Sequence, residues 1–214
     1  NLPNIDIIIP NYNKGDYLKE CLDSVLNQTY KNWTVYLIDD CSNDLSKEVL
    51  KKYNKEKKIN ILLLKENYGP SYCRNLGIKN SNSDYIAFLD SDDFWPENKL
   101  EIQIKDMLDN KYDFSFTDIK YFFNKNIENI KKTNLPRIYD FEKFITKSTM
   151  STSSVLIKRS ALDKTNFKEV EHEDYLFKCE LLKKGNLSHK IFNTFVYYRI
   201  NKKNRSSNKI SNLI

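Results

Sequence analysis

The stretch Tyr85-Ile-Ala-Phe-Leu-Asp-Ser-Asp-Asp-Phe-Trp-Pro96 joins a short apolar run to a cluster of carboxylates. Residues 85–89 contain no alternating polar positions, which is typical of a strand buried on both faces of a parallel sheet. The carboxylates of Asp90, Asp92 and Asp93 repel one another unless something positive lies between them. The stretch therefore predicts a divalent metal ion at the end of a buried strand.

The segments before and after this stretch alternate between strand-like and helix-like patterns. We expect strands at Ile5–Ile9 (ended by Pro10), Val35–Ile38, Ile59–Leu64 and 85–89. We expect helices at 15–27, at 46–54, from Gly69-Pro70 onward and from Glu97 to Leu108. Strands separated by helices predict parallel βαβ crossovers. The fold class is therefore α/β, a Rossmann-like domain with a mostly parallel central sheet flanked by helices.

The second half of the chain is less regular. Strands are expected at Phe114–Thr117, Ser153–Ile157 and Leu187–Tyr198, and helices at Phe141–Lys147 and Glu173–Lys184. Residues 119–135 are expected to be a polar excursion. Because the chain has no internal repeat and no Pro-, Gly- or Ser-rich linker, one domain over 1–214 is predicted, with halves of about 1–110 and 111–214.

Composition excludes several classes of protein. The 214 residues are 40% hydrophobic, which indicates a folded domain. The net charge of +6 comes from lysines spread along the chain, so we expect no nucleic-acid partner. Four scattered cysteines without a CxxC pair, with only two histidines, argue against a zinc site and favour reduced thiols in a cytoplasmic protein. No apolar run approaches the roughly 20 residues that span a bilayer.

Polar residues follow three of the expected strands. They are Pro10-Asn-Tyr-Asn13, Asp39-Asp40 and Asp90-Ser-Asp-Asp93. An open parallel sheet binds its ligands at the carboxyl ends of its strands. Neither GxGxxG nor a P-loop is present, so side chains and a metal would hold a nucleotide. Since Mg²⁺ and Mn²⁺ prefer carboxylates together with substrate phosphates, a cation carrying a diphosphate is predicted.

In this order and spacing, the motifs resemble those of the family 2 glycosyltransferases of the GT-A fold, which build bacterial polysaccharides and surface glycans. The resemblance covers nearly the whole chain. Its motifs are Ile8-Ile-Pro-Asn-Tyr-Asn13, Ser24-Val-Leu-Asn-Gln-Thr-Tyr30, Leu37-Ile-Asp-Asp-Cys-Ser-Asn-Asp44, Asn67-Tyr-Gly-Pro-Ser-Tyr-Cys-Arg-Asn75, Phe88-Leu-Asp-Ser-Asp-Asp93, Glu173-Asp174 and Tyr198-Arg199.

The resemblance implies a donor site in the first half of the chain. Asp92 would ligate Mn²⁺ or Mg²⁺, with Asp90 and Ser91 supporting the ribose or the metal. Asp40 would read the base with help from Asp39, and Pro10 and Tyr12 would line the nucleoside pocket. Arg74 would contact the base or the phosphates. In the second half, the acceptor half, Asp174 would be the catalytic base of an inverting transfer.

Several of these residues also have a plainer interpretation. Asp93 could only cap a turn, Asp39 could only position its loop, and Arg74 could be a surface arginine. Tyr12 could belong to a simple strand-ending loop. The basic segment Asn201-Lys-Lys-Asn-Arg205 stands where the family commonly has a histidine after Tyr-Arg. It could order over the diphosphate as a lid or be a frayed terminus.

The implied activity is transfer of a sugar from a nucleotide-diphosphate donor, UDP-linked, to a glycan or lipid-linked glycan acceptor. Peripheral association with the inner face of the cytoplasmic membrane is a further expectation. A phosphatase of the haloacid dehalogenase type is disfavoured because Phe94 follows Asp93 where that chemistry needs Thr or Val nearby. A non-catalytic module of the same fold that binds a nucleotide or glycan stays open.

Overall fold

The computed structural model describes residues 2–123, 126–132, 135–147 and 149–200. Its strands are β1 (Ile5–Asn11), β2 (Trp33–Asp39), β3 (Ile59–Leu63), β4 (Tyr85–Phe88), β5 (Phe114–Phe123), β6 (Asn126–Lys132), β7 (Ile138–Tyr139), β8 (Leu156–Lys158) and β9 (Ser188–Ile200). Its α-helices are α1 (Gly15–Leu26), α2 (Ser46–Tyr53), α3 (Pro70–Asn80), α4 (Lys99–Asn110), α5 (Phe141–Thr146), α6 (Arg159–Leu162) and α7 (Glu173–Lys183). A 3₁₀ turn spans Thr152–Ser154.

The strands form one sheet in the order β3-β2-β1-β4-β8-β5-β9-β7, with β6 paired to β5. Strands β3, β2, β1 and β4 run parallel to one another. The chain passes outward from β1 through β2 to β3, then returns to place β4 on the other side of β1. Such a switch in strand order opens a crevice at the carboxyl ends of β1 and β4, where ligands bind in open α/β sheets.

The core lies around these central strands, as their apolar composition predicts. All four residues of β4 are buried, and Ile8 of β1 is fully inaccessible. Helix α3 approaches the sheet closely at Gly77, where an added Cβ would lie 2.5 Å from a methyl of Ile8. Glycine is therefore needed here to bring α3, and the Arg74 that it carries, against the strand.

The α/β prediction is confirmed, and three local predictions are wrong. β1 continues through Pro10 to Asn11, since parallel pairing with β2 persists there. Within the range expected to be a polar excursion, residues 119–123 continue β5 along β9, and residues 126–132 form β6. The expected strand Ser153–Ile157 begins as the 3₁₀ turn, and its strand is Leu156–Lys158. In each case, contacts with residues that are distant in the sequence decide where the strand begins or ends.

All four cysteines are free. Within the part of the chain that the structure describes, no helix is both long enough and apolar enough to cross a bilayer.

Candidate active site

The end of β2 is built around Asp39, which is 1% exposed. Its carboxylate accepts hydrogen bonds from Asn11 Nδ2 at 2.7 Å and from Ser42 Oγ at 2.6 Å. It also accepts the backbone N–H of Ser42 at 3.1 Å. Asp39 thus joins the ends of β1 and β2 and fixes the loop between β2 and α2, which is the loop-positioning role left open by the sequence.

Asp40 is held in the same way by the loop before α3. Its two carboxylate oxygens accept the backbone N–H groups of Tyr68 and Gly69, each at 2.8 Å. Burial, reinforced by the nearby charge of Asp40, raises the pKa of the Cys73 thiol to about 12. Asp40 therefore ties β2 to the start of α3, and its contact with a nucleobase stays a prediction.

Cys41 follows Asp40 in the loop after β2. Its backbone is left-handed, with φ of 61°. The loop therefore keeps the conformation that glycine favours, although a side chain is present.

The acidic stretch after β4 forms a tight turn in which the Asp93 N–H donates to the Asp90 carbonyl at 2.9 Å. The three carboxylates diverge from this turn. Asp90 pairs with Arg74 at 2.8 Å, and Asp92 pairs with Lys14 at 2.6 Å. Ser91 lies between them and is buried. The mutual repulsion of the carboxylates is thus relieved by cations from α3 and from the loop before α1.

Asp93 turns inward and is 2% exposed. It accepts Ser153 Oγ at 2.6 Å and the backbone N–H of Arg199 at 3.0 Å. Burial, with the charges of Asp92 and Asp90, raises its pKa well above the usual range. The expectation that Asp93 only caps a local turn is wrong, because its side chain anchors the acidic turn to β9 and to the 3₁₀ turn.

Arg74 is not a surface arginine: its side chain is 6% exposed. The guanidinium bridges Asp90 at 2.8 Å and Glu173, the first residue of α7, at 3.2 Å. Asn75 beside it exchanges hydrogen bonds with the backbone of Phe167, so it ties α3 to the segment before α7. Arg74 therefore joins the donor half of the site to α7.

Asp174 lies one residue further along α7, with its side chain 41% exposed. Its Oδ2 accepts Lys178 Nζ at 2.9 Å and Thr152 Oγ1 at 3.2 Å. Burial alone would raise the pKa of this carboxyl, but Lys178, with contributions from Arg74 and Thr152, outweighs it and holds the pKa well below the usual range. Asp174 is therefore an ionised carboxylate that partly faces solvent.

One 3₁₀ turn connects the candidate base to the acidic turn. Thr152 donates to Asp174, and the next residue, Ser153, donates to Asp93 and accepts the N–H of Asp90 at 3.1 Å. Two successive hydroxyls thus hold both carboxylate groups in a fixed relation. The sequence analysis missed this turn, and the run Ser151-Thr-Ser-Ser154 was its only signal.

The remaining predicted residues occupy the rim. Pro10 lies in β1 beside Ile38, one residue before the strand ends, and Tyr12 is 47% exposed in the next loop. The basic segment 201–205 lies outside the described residues.

Lys14 and Lys178 were missed as site residues, although Lys178 stands four positions after Asp174, the spacing at which helix side chains meet.

The donor set is compatible with a divalent metal that is completed by a substrate. Within the described residues, no three Asp, Glu, Cys or His side chains converge on one point. Mg²⁺ needs only one or two protein carboxylates when phosphates supply the other ligands. Asp92 offers such a carboxylate, and the Lys14 ammonium at 2.6 Å shows that a cation is accommodated there.

The sheet is mostly parallel and carries carboxylates at its switch point, where open α/β sheets bind their ligands. The chain matches the family model described as Glycosyl transferase family 2 over residues 6–165, and it belongs to that family. TuaG of Bacillus subtilis, a putative teichuronic acid biosynthesis glycosyltransferase, is 30% identical over 97% of this chain and 83% of that protein.

A second relative, WfgD of Escherichia coli, is a UDP-Glc:alpha-D-GlcNAc-diphosphoundecaprenol beta-1,3-glucosyltransferase. It is 32% identical over 98% of this chain and 82% of that protein.

Solved structures show the same fold. S. aureus TarS 1-349 in complex with UDP-GlcNAc superposes with a TM-score of 0.78 at 20% identity, over 95% of this chain and 60% of that one. The mannosyltransferase PcManGT from Pyrobaculum calidifontis, in complex with GDP-Man and Mn²⁺, superposes with a TM-score of 0.74 at 15% identity. The match covers 99% of this chain and 61% of that one. This chain thus spans about three fifths of the length of these structures. The family and the GT-A fold expected from the motifs are confirmed.

Proposed function

We propose that this chain is an inverting, metal-dependent sugar transferase that uses a UDP-linked sugar. The acceptor is a hydroxyl of a lipid-linked or growing bacterial surface glycan at the inner face of the cytoplasmic membrane. The observation that carries the proposal is the 3₁₀ turn, whose Thr152 holds Asp174 while Ser153 holds the acidic turn. The names of the relatives TuaG and WfgD, and the UDP-GlcNAc bound to TarS, support the donor and acceptor classes.

Asp174 takes the proton from the acceptor hydroxyl as that oxygen attacks the anomeric carbon of the donor. The bond between that carbon and the diphosphate oxygen breaks, and its electron pair leaves with the diphosphate. Configuration inverts because the hydroxyl attacks once, from the face opposite the departing diphosphate, and no covalent enzyme intermediate forms. An ionised carboxylate suits this role, and the low pKa of Asp174 keeps it ionised.

Other side chains bind and orient the donor. Asp92, supported by Asp90, would hold Mn²⁺ or Mg²⁺, which supplies positive charge to the departing diphosphate. Arg74, which pairs with Asp90 at 2.8 Å, would contribute further positive charge. Asp40, Pro10 and Tyr12 would line the nucleoside pocket, and Asp39 positions the loop beside them.

Ligand-induced thermal stabilisation tests the donor site. UDP, GDP, CDP and dTDP are each added with Mn²⁺, with Mg²⁺ and with chelator. A ligand at 100 times its Kd stabilises the folded state by about 2.7 kcal/mol, or roughly 5–10 °C in Tm for a chain of this size. We expect UDP to give this shift and chelator to remove it. No shift with any nucleotide would contradict the proposal and favour a module that binds glycan without catalysis.

A further inference from the structure

Lys178 is the residue of α7 that the proposed mechanism leaves unexplained. Its side chain is 3% exposed, and its charged group is therefore buried, one helical turn after Asp174. The ammonium donates to Asp174 Oδ2 at 2.9 Å, to the Met150 carbonyl at 2.7 Å and to Thr152 Oγ1 at 3.3 Å. A lysine ammonium has three N–H donors, so each has an acceptor.

This geometry restrains one carboxylate oxygen of Asp174 and does not restrain the other. Oδ2 accepts from both Lys178 and Thr152. Oδ1 makes no hydrogen bond to any residue that the structure describes, and the side chain is 41% exposed. The carboxylate is therefore held from the protein side only.

We propose that Lys178 is a positioning residue of the transfer reaction: its ammonium holds Oδ2 of Asp174, so that Oδ1 is directed to receive the acceptor proton. This inference rests on the proposed function. The acceptor O–H bond breaks as the Oδ1–H bond forms, and Lys178 keeps its own proton and its three hydrogen bonds throughout.

The charges around Asp174 support this assignment. Lys178 faces it from α7, Arg74 from α3 and the Thr152 hydroxyl from the 3₁₀ turn, while Glu173 is paired with Arg74. Arg74 divides its charge between Asp90 and Glu173, so Lys178 is the cation in direct contact with Asp174. Removing its charge should raise the pKa of Asp174, because the effect of burial would no longer be outweighed.

A purely structural ion pair would also place a lysine four residues after an aspartate on a helix. The experiment must therefore read the charge of Asp174 as well as stability. We compare wild type with Lys178→Gln, which removes the charge, and Lys178→Arg, which retains it. The matched control is Lys190→Gln, which breaks another buried pair, Lys190 with Asp118 at 2.7 Å, whose side chains are 8% and 15% exposed.

The first readout is the pH titration of the Asp174 carboxyl carbon by NMR, with the signal assigned by its loss in Asp174→Asn. In wild type and Lys190→Gln we expect the carboxyl to stay ionised down to acid unfolding. In Lys178→Gln the Asp174 carboxyl should titrate at least one pH unit above the upper limit that wild type sets for its pKa, a tenfold change in proton affinity. In Lys178→Arg the titration should match that of wild type. An unchanged titration in folded Lys178→Gln overturns the proposal. If Lys178→Gln does not fold, a wild-type-like titration in Lys178→Arg supports it, and a raised one overturns it.

The second readout is the pH dependence of sugar transfer. Lys178→Gln should gain an acidic limb in kcat that wild type lacks, and Lys178→Arg should remove that limb. A loss of rate that is equal at every pH indicates a structural role and overturns the proposal. Wild-type protein that transfers no sugar, but whose Asp174 titration responds to Lys178→Gln, contradicts the proposed function while the effect of Lys178 on Asp174 stands.

Discussion

The end of β2 and the end of β4 both carry carboxylates, but the two groups are held by different partners. Asp39 and Asp40 accept hydrogen bonds from backbone N–H groups and neutral side chains. At the end of β4, Asp93 is held in the same way by Ser153 and the backbone of Arg199. Asp90 and Asp92 pair instead with the cations Arg74 and Lys14, as Asp174 of α7 pairs with Lys178. A carboxylate whose partners are backbone N–H groups can lose those hydrogen bonds only if the loop changes its conformation. A carboxylate paired with a cationic side chain can exchange that partner for the charge of a ligand.

The difference divides the site into a fixed wall and an adaptable one. The fixed wall at β2 suits recognition of a rigid base and ribose. The adaptable wall at β4 and α7 suits a reaction in which charge moves from a bond to a departing diphosphate. Substitutions at the two walls should therefore have different consequences.

The largest effect is expected at the adaptable wall, in Asp174→Asn. Sugar transfer should fall by about 10²–10⁴-fold, the usual contribution of a positioned general base. The shift in Tm on adding UDP and metal should persist, because the donor binds elsewhere. Initial rates and thermal shifts on the same preparation check this. Transfer at the wild-type rate would show that Asp174 is not the base.

Arg74→Met should lower the free energy of unfolding by about 3 kcal/mol, because it leaves the carboxylates of Asp90 and Glu173 without the cation that pairs with both. Urea denaturation measures the loss. The matched control is Lys158→Met, which breaks an ion pair with Asp113 in which both partners are about half exposed. Lys158→Met should lower the free energy of unfolding by less than about 1 kcal/mol. Equal effects from the two substitutions would mean that Arg74 is no more than a surface partner.

At the fixed wall, Asp39→Ala removes the acceptor of three hydrogen bonds from Ser42 and Asn11. Leaving buried donors unpaired should destabilise the fold by about 1–3 kcal/mol, and the loop should lose its shape. UDP should then bind more weakly with or without metal. Weaker binding that appears only with metal present would mean that the two walls are not separate.

The smallest effect is expected from Lys14→Met. The pair with Asp92 is partly exposed, with side chains 27% and 13% accessible, so the stability change should be below about 1 kcal/mol. Because the ammonium competes with a metal for Asp92, Mn²⁺ alone should bind about fivefold more tightly, from roughly 1 kcal/mol of relieved repulsion. Titration calorimetry without nucleotide measures this. Unchanged or weaker Mn²⁺ binding would show that Lys14 and the metal do not share Asp92.

Much of this site could be predicted from the sequence because its elements are local. The apolar run 85–89, the acids that follow it and the alternation of strands with helices depend on near neighbours along the chain. These features determined the α/β class and placed Asp39, Asp40, Asp90 and Asp92 at the carboxyl ends of strands, where a parallel sheet brings them to one edge.

Only the tertiary structure decided which charge meets which. Lys14 and Asp92 are 78 residues apart, and Arg74 and Glu173 are 99 apart, so no local pattern predicts either pair. The extension of β5 beyond Thr117 depends on β9, and the burial of Asp93 depends on Ser153 and Arg199. A side chain's charge is set by its identity, but its partner and its protonation are set by burial and by neighbours that only folding brings together.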